Sequence, residues 1–197
     1  MRYNIIMDFH SGPYYQEKLS KLSFEGEVIK EKDFEECEFE GCVFVDCKFE
    51  HCRFVTCKFN ECILSAINPV DSRFLDISFN RSKVIGFDWT KAQKIQDLAF
   101  NNCQLNYSNF KLLKVPKIKI TGCEAKEVAF IETDLTEGDF KNTDFEKSRF
   151  FKTNLTGANF KGAKNYFIDV KNNTLKKTRF SLPEALVLLE SLDIIIE

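Results

Sequence analysis

Eight cysteines carry the most chemistry in this 197-residue chain, and their spacing decides which chemistry is open to them. Cys37, Cys42, Cys47, Cys52, Cys57 and Cys62 stand five apart in one run, with Cys103 and Cys123 further on. Zinc sites use close C-x-x-C pairs, commonly with histidine. A uniform gap of four residues, with only His10 and His51 in the chain, points away from a metal. Cysteines twenty apart (Cys37 and Cys57, Cys42 and Cys62, Cys103 and Cys123) would stack on neighbouring turns of a repeat, within Cα range of a disulfide. Parallel inward side chains hold the Cβ atoms too far apart for that bond without distortion. What remains is a buried free thiol acting as a small hydrophobe, reduced, metal-free and slow to react until the protein is denatured.

Other catalytic arrangements are missing. There is no Gly-rich phosphate loop, no G-x-S-x-G and no H-E-x-x-H, and neither histidine lies beside an evident nucleophile in sequence. Carboxylates are abundant, but they fall where a repeat would place a solvated face. The chain reads as a non-enzyme with no cofactor, no metal and no catalytic residue.

The elements that position the cysteines follow from a second series two residues downstream. Phe34, Phe39, Phe44, Phe49, Phe54, Phe59 and Leu64 form its first run, followed by Phe74 and Phe79, then Phe100, Leu105 and Phe110. A last run holds Phe130, Leu135, Phe140, Phe145, Phe150, Leu155 and Phe160. A period of five fits neither a helix face nor a strand, so it marks an internal repeat. Where the slot two residues earlier is not Cys, it is usually small (Ser72, Ser82, Ser108, Thr133, Gly138, Thr143, Ser148, Thr153, Ala158, Ala163). The unit is small-x-Phe/Leu-x-x, with the small and the large side chain both turned inward. Trp89 falls on an inward position and reads as core.

This unit resembles that of the pentapeptide-repeat proteins, small-(Asp/Asn)-Leu/Phe-x-x, most closely in GDFKNTDFEKSRFFKTNLTGANFKGA, residues 138–163. The resemblance spans about 22–181 and implies an all-β solenoid, a right-handed quadrilateral β-helix of about eight coils. Four units would make one coil, and coils stacked at the inter-strand spacing give a rod on the order of 38 Å long. Stacked phenyl rings would then lie at aromatic-pair distance.

Irregularities are also visible. Trp89 to Phe100 is one residue longer than two units, so one residue is inserted near 91–94, where a bulge on one side is expected. Pro69 takes a core position and Pro116 follows Val115; proline cannot donate to a ladder. Open solenoid ends need caps. Residues 1–21 are expected to fold over the first coil as an N-terminal capping segment, 22–181 to form the β-helix, and 182–197 to form a C-terminal capping helix and tail. Ser181 and Glu184 have the spacing of a capping box. Leu182, Leu186, Leu189, Leu192, Ile194 and Ile196 are more apolar surface than one small contact needs, which marks an interface.

FSLPEALVLLESLDIIIE, residues 180–197, is similar to the C-terminal element of the Qnr quinolone-resistance branch, and FEGEVIKEKDFEECEF, from Phe24, to the start of its first coil. That resemblance implies a homodimer joined tail to tail, which binds a type II topoisomerase, DNA gyrase or topoisomerase IV, by mimicking DNA. The alternative is a general protein-interaction scaffold. DNA mimicry requires a continuous negative stripe along the rod, and the charges are mixed. Residues 31–64 carry nine acids and four bases, 65–121 four acids and nine bases, and 122–162 eight acids and six bases. Nine bases wrapped over four sides spread too widely for direct nucleic-acid binding to be expected. The start has too short an apolar stretch for a signal segment and no run approaches a membrane span, so a cytoplasmic location is expected.

Overall fold

A computed structural model of the chain describes residues 12–192 and 194. Its strands, mostly of three residues, pair in parallel with partners four units away: Phe34 lies beside Phe54, Phe54 beside Phe74, Phe39 beside Phe59 and Phe59 beside Phe79. Each coil therefore has four sides, and the stack is a parallel β-solenoid of about eight coils with one short C-terminal helix. Strands are short because every fifth residue leaves the extended region. Glu36, His51 and Thr56 have φ of 55, 53 and 51°, left-handed values that turn the chain through a corner.

Four columns of core side chains define the sides. Side one holds Phe34, Phe54, Phe74, Ile95, Val115, Leu135, Leu155 and Leu175, and side two holds Phe39, Phe59, Phe79, Phe100, Ile120, Phe140, Phe160 and Phe180. Side three runs through Phe24, Phe44, Leu64, Val84, Leu105, Ala125 and Phe145; side four runs through Ile29, Phe49, Pro69, Trp89, Phe110, Phe130 and Phe150. Rings stack up the columns at 5.0 Å for Phe34–Phe54 and Phe54–Phe74, and at 4.4 Å for Phe39–Phe59.

The structure corrects three boundary readings. The stack begins before residue 22: Tyr14 pairs with Phe34 and Leu19 with Phe39, so residues 14–21 are part of a coil rather than a cap. The rest of the proposed cap, residues 1–11, lies outside the described residues. The inserted residue makes no side bulge. Arg73 pairs with Lys94 and Phe79 with Phe100, and the extra residue is taken up by a 3-10 turn at a corner, Trp89–Lys91. Asp88 caps that turn, accepting from the Thr90 backbone N–H at 3.3 Å and its hydroxyl at 2.7 Å. Finally, Ser181 and Glu184 form no capping box. The C-terminal turn, Glu184–Leu186 then Val187–Glu190, starts after Pro183 without a side-chain cap, and the Ser181 hydroxyl accepts instead from the Gly162 N–H at 2.7 Å.

Candidate functional site: inner ladders, outer sides and the C-terminal end

All nineteen residues of the expected core ladder are buried, and so are the eight cysteines, which are free thiols. No group of three or more metal-ligating side chains comes together among the described residues. The cysteines do more than fill space. In an ordinary β-turn the carbonyl of the core residue would bond the N–H three residues on. Between Phe39 and Cys42 that bond is absent, and the Cys62 sulfur of the next coil sits in the gap. It donates to the Phe39 carbonyl at 3.4 Å and accepts from the Cys42 N–H at 3.3 Å. Ser72 bridges Phe49 and Cys52 in the same way at 2.7 and 2.9 Å, and Ser82 bridges Phe59 and Cys62 at 3.0 and 2.9 Å. Cys103, Cys123, Thr143 and Asn173 repeat the arrangement further along. The small slot is therefore a polar bridge between coils as well as a small side chain. The five-residue period shows which residues point inward; this role is visible only once coils of twenty residues are stacked.

Burial also silences Cys52 and Cys57. It pushes Cys52 up to about 11 and Cys57 to about 12. Cys62 and Cys123 are raised too, first by the neighbouring sulfurs of Cys42 and Cys103 and then by burial, while the same contacts lower Cys42 and Cys103.

Outside, charges pair from coil to coil. Arg53 reaches Asp33 at 2.7 Å and Glu35 at 3.0 Å, Lys58 meets Glu38 at 3.2 Å, Arg81 meets Glu61 at 2.9 Å and Lys126 meets Glu146 at 3.2 Å. Among the described residues no side presents an unbroken acidic stripe. Side two is the reverse, with Lys18, Lys21, Lys58, Arg81, Lys119, Lys141, Lys161 and Arg179 against Glu38, Glu40, Glu61 and Asp139.

At the C-terminal end Leu182, Leu186, Leu192 and Ile194 are exposed, by 76, 54, 39 and 54%. Leu189 is only half-buried, and Ile196 lies outside the described residues. Val187 and Leu188 turn the other way and pack on the core, and the Ser191 hydroxyl accepts from the Val170 N–H at 3.2 Å. The helical turn thus closes the last coil through Val187 and Leu188, and the segments on either side of it leave Leu182, Leu186, Leu192 and Ile194 exposed. Among the described residues no helix is long and apolar enough to cross a membrane.

A rod with a repeated inward unit and coils bridged by hydrogen bonds is a parallel β-solenoid. The chain belongs to the pentapeptide-repeat family: the pentapeptide repeat region matches residues 28–110 and 52–130, and pentapeptide repeats in eight copies match residues 127–164. No curated protein matches the chain by sequence. Among solved structures it is similar to two trypsin-treated variants of QnrB1, a plasmid-mediated fluoroquinolone resistance protein. One variant gives a TM-score of 0.65 at 18% identity, covering 91% of this chain and 100% of that one. The other gives 0.61 at 20% identity, covering 94% of this chain and 98% of that one. At this identity the likeness is one of fold.

Proposed function

We propose that this chain is a non-enzymatic protein-binding rod that works as a tail-to-tail homodimer in the cytoplasm. Its first partner to test is a type II topoisomerase. The observation that carries the reading is the group of exposed apolar residues at the C-terminal end, gathered around a short helical turn whose Val187 and Leu188 already pack on the core. A two-fold contact needs one self-complementary patch, and Leu182, Leu186, Leu192 and Ile194, with Leu189 beside them, supply it. Two rods of about eight coils joined there span on the order of 75 Å at the strand spacing.

The fold shared with QnrB1 supports a topoisomerase as the partner. The paired surface charges do not favour simple imitation of DNA, because acids and bases neutralise each other from coil to coil. Recognition would then rest on shape and on local patches.

The test is gyrase supercoiling, with and without a fluoroquinolone, beside light scattering of the same protein. The expected result is a dimer at micromolar concentration that relieves drug inhibition or itself inhibits supercoiling. Removing residues 182–197 is expected to leave a monomer or an aggregating chain, with that effect gone. A full-length monomer overturns the dimer. A dimer without effect on gyrase or topoisomerase IV leaves the general protein scaffold as the function.

A further inference from the structure

Side one stacks like charges over more coils than the opposite-charge pairs seen elsewhere on the rod. Its outward column just before the core residues reads Arg53, Arg73, Lys94, Lys114, four bases on consecutive coils. Arg53 is neutralised by Asp33 and Glu35, and Arg73 donates only to the Gln93 side chain. Among the described residues no carboxylate lies within ion-pair distance of Arg73, Lys94 or Lys114. Stacked like charges repel, and nothing in the fold demands them here.

Four further observations on the described residues fall on the same side. Between residues 93–97 and 113–117 no backbone hydrogen bond joins the coils, so the ladder parts there. A cleft of about 270 Å³ opens along one corner, with Asp76, Asp97, Lys117 and Lys119 around its mouth. A second, of about 230 Å³, opens along the other corner between His51, Arg53, Asp71 and Arg73. Between the corners runs a strip with few charges: Val55, Leu75, Gln96 and Pro116.

We propose that side one, at the coils of Phe54 to Val115, is the docking surface for an acidic, extended segment of a partner protein. The segment would run along the rod with its carboxylates on Arg73, Lys94 and Lys114. A protein segment fits better than a nucleic-acid strand because Asp71, Asp76 and Asp97 flank the bases and would repel a uniformly charged phosphate backbone. A protein can place neutral or basic residues against them. This rests on the reading of the rod as a protein-binding scaffold and is independent of the tail.

The test is anisotropy of a fluorescein-labelled octaglutamate peptide titrated with the full-length protein at low salt. Binding is expected, and it should vanish in about 0.5 M salt, where exposed charges are screened. The double variant R73E/K94E should weaken it by about tenfold or more, while K141E/K161E on side two should change it by less than about twofold. Both pairs are exposed, and melting curves verify folding; if reversal unfolds the protein, R73Q/K94Q should still weaken binding where K141Q/K161Q does not. No binding, or equal loss from both pairs, overturns the site. A labelled single-stranded oligonucleotide of equal charge that binds more tightly, with the same dependence on Arg73, overturns the protein partner. R73E/K94E should remain a dimer in light scattering. Loss of peptide binding with an unchanged dimer and unchanged gyrase effect confines the failure to this surface.

Discussion

The coils from Asp33 to Asn101 and those from Asn102 to Phe160 build one cross-section with two kinds of turn. In the first stretch most turns stay open, several of them bridged by a thiol or hydroxyl from the following coil, as Cys62 does for Phe39 and Cys42, while Pro69–Ser72 and Trp89–Ala92 close on themselves. In the second many turns close on themselves, with i to i+3 bonds at Leu135–Gly138, Phe145–Ser148, Leu155–Ala158 and Phe160–Ala163. The slot residue one coil on accounts for most of the difference. Gly138, Ala158 and Pro183 offer no side-chain bridge, and the turns beneath them, at Val115, Leu135 and Phe160, close. Where Cys, Ser, Thr or Asn stands there, the turn can open around it. Two threonines mark the border: Thr133 and Thr178 donate to the Phe110 and Leu155 carbonyls while those turns remain closed. A buried N–H and C=O must be satisfied somewhere, and this chain has two ways to do it.

If the turns differ and the core does not, ring deletions should hurt both stretches alike. Phe39→Ala and Phe140→Ala are each expected to cost about 3–5 kcal/mol in denaturant unfolding. A much smaller loss for Phe39→Ala would mean that the open-turn coils are loosely packed and would break the comparison. The bridge itself is next in size. Cys62→Ala should cost about 1–3 kcal/mol, because the Phe39–Cys42 turn must either rearrange to close on itself, as the turn beneath Ala158 does, or leave a buried carbonyl and N–H unpaired, whereas Cys62→Ser keeps both bonds and should stay within about 1 kcal/mol of the parent. Cys47→Ala removes the same volume from a sulfur that donates to the Val45 carbonyl of its own coil rather than to a core carbonyl one coil back, so its loss should be the smaller. Equal melting temperatures for Cys62→Ala and Cys62→Ser would dispose of the bridge.

Alkaline stability probes the buried thiols by a third route. Thiols whose folded pKa is raised stabilise the fold fully below the unfolded value of 9.0. That stability fades as pH rises toward about 11 for Cys52 and about 12 for Cys57, because the unfolded chain gives up protons first. Unfolding free energy measured from about pH 8 upward should fall above the unfolded value of 9.0, and Cys52→Ser with Cys57→Ser should flatten the fall. The smallest effect is expected outside: Lys141→Ala, which gives up a surface pair with the half-buried Asp139 at 3.0 Å, should shift stability by no more than about 0.5 kcal/mol.

Much of this was legible in the residues alone. Phe at a period of five gives the inward positions, the displaced count after Trp89 gives the insertion, and the leucines after Phe180 give the capping helix. The bridging thiols were not legible as bridges. A cysteine in the small slot looks like a hydrophobe until its neighbour twenty-three residues earlier is known to offer a carbonyl. The insertion's form was hidden too, because an added residue can be absorbed at a side or at a corner, and Asp88 favours the corner by capping it. The charge break on side one needed the register, since Arg73, Lys94 and Lys114 become a column only in stacked coils.

The single tryptophan gives this rod its own lamp. Trp89 is fully buried near mid-length, stacked on Phe87 at 3.9 Å and met edge-on by Phe74, Phe79 and Phe100. Its indole sees no water, so its emission should lie well to the blue. Because a stack of coils holds together only through nearest neighbours, coils peeled from either end would leave that colour untouched. Only loss of the central coils would turn it red. A denaturation curve followed by fluorescence therefore reports on the middle of the molecule, and one followed by far-UV dichroism on the whole of it; any gap between the two curves measures how far the ends unravel first.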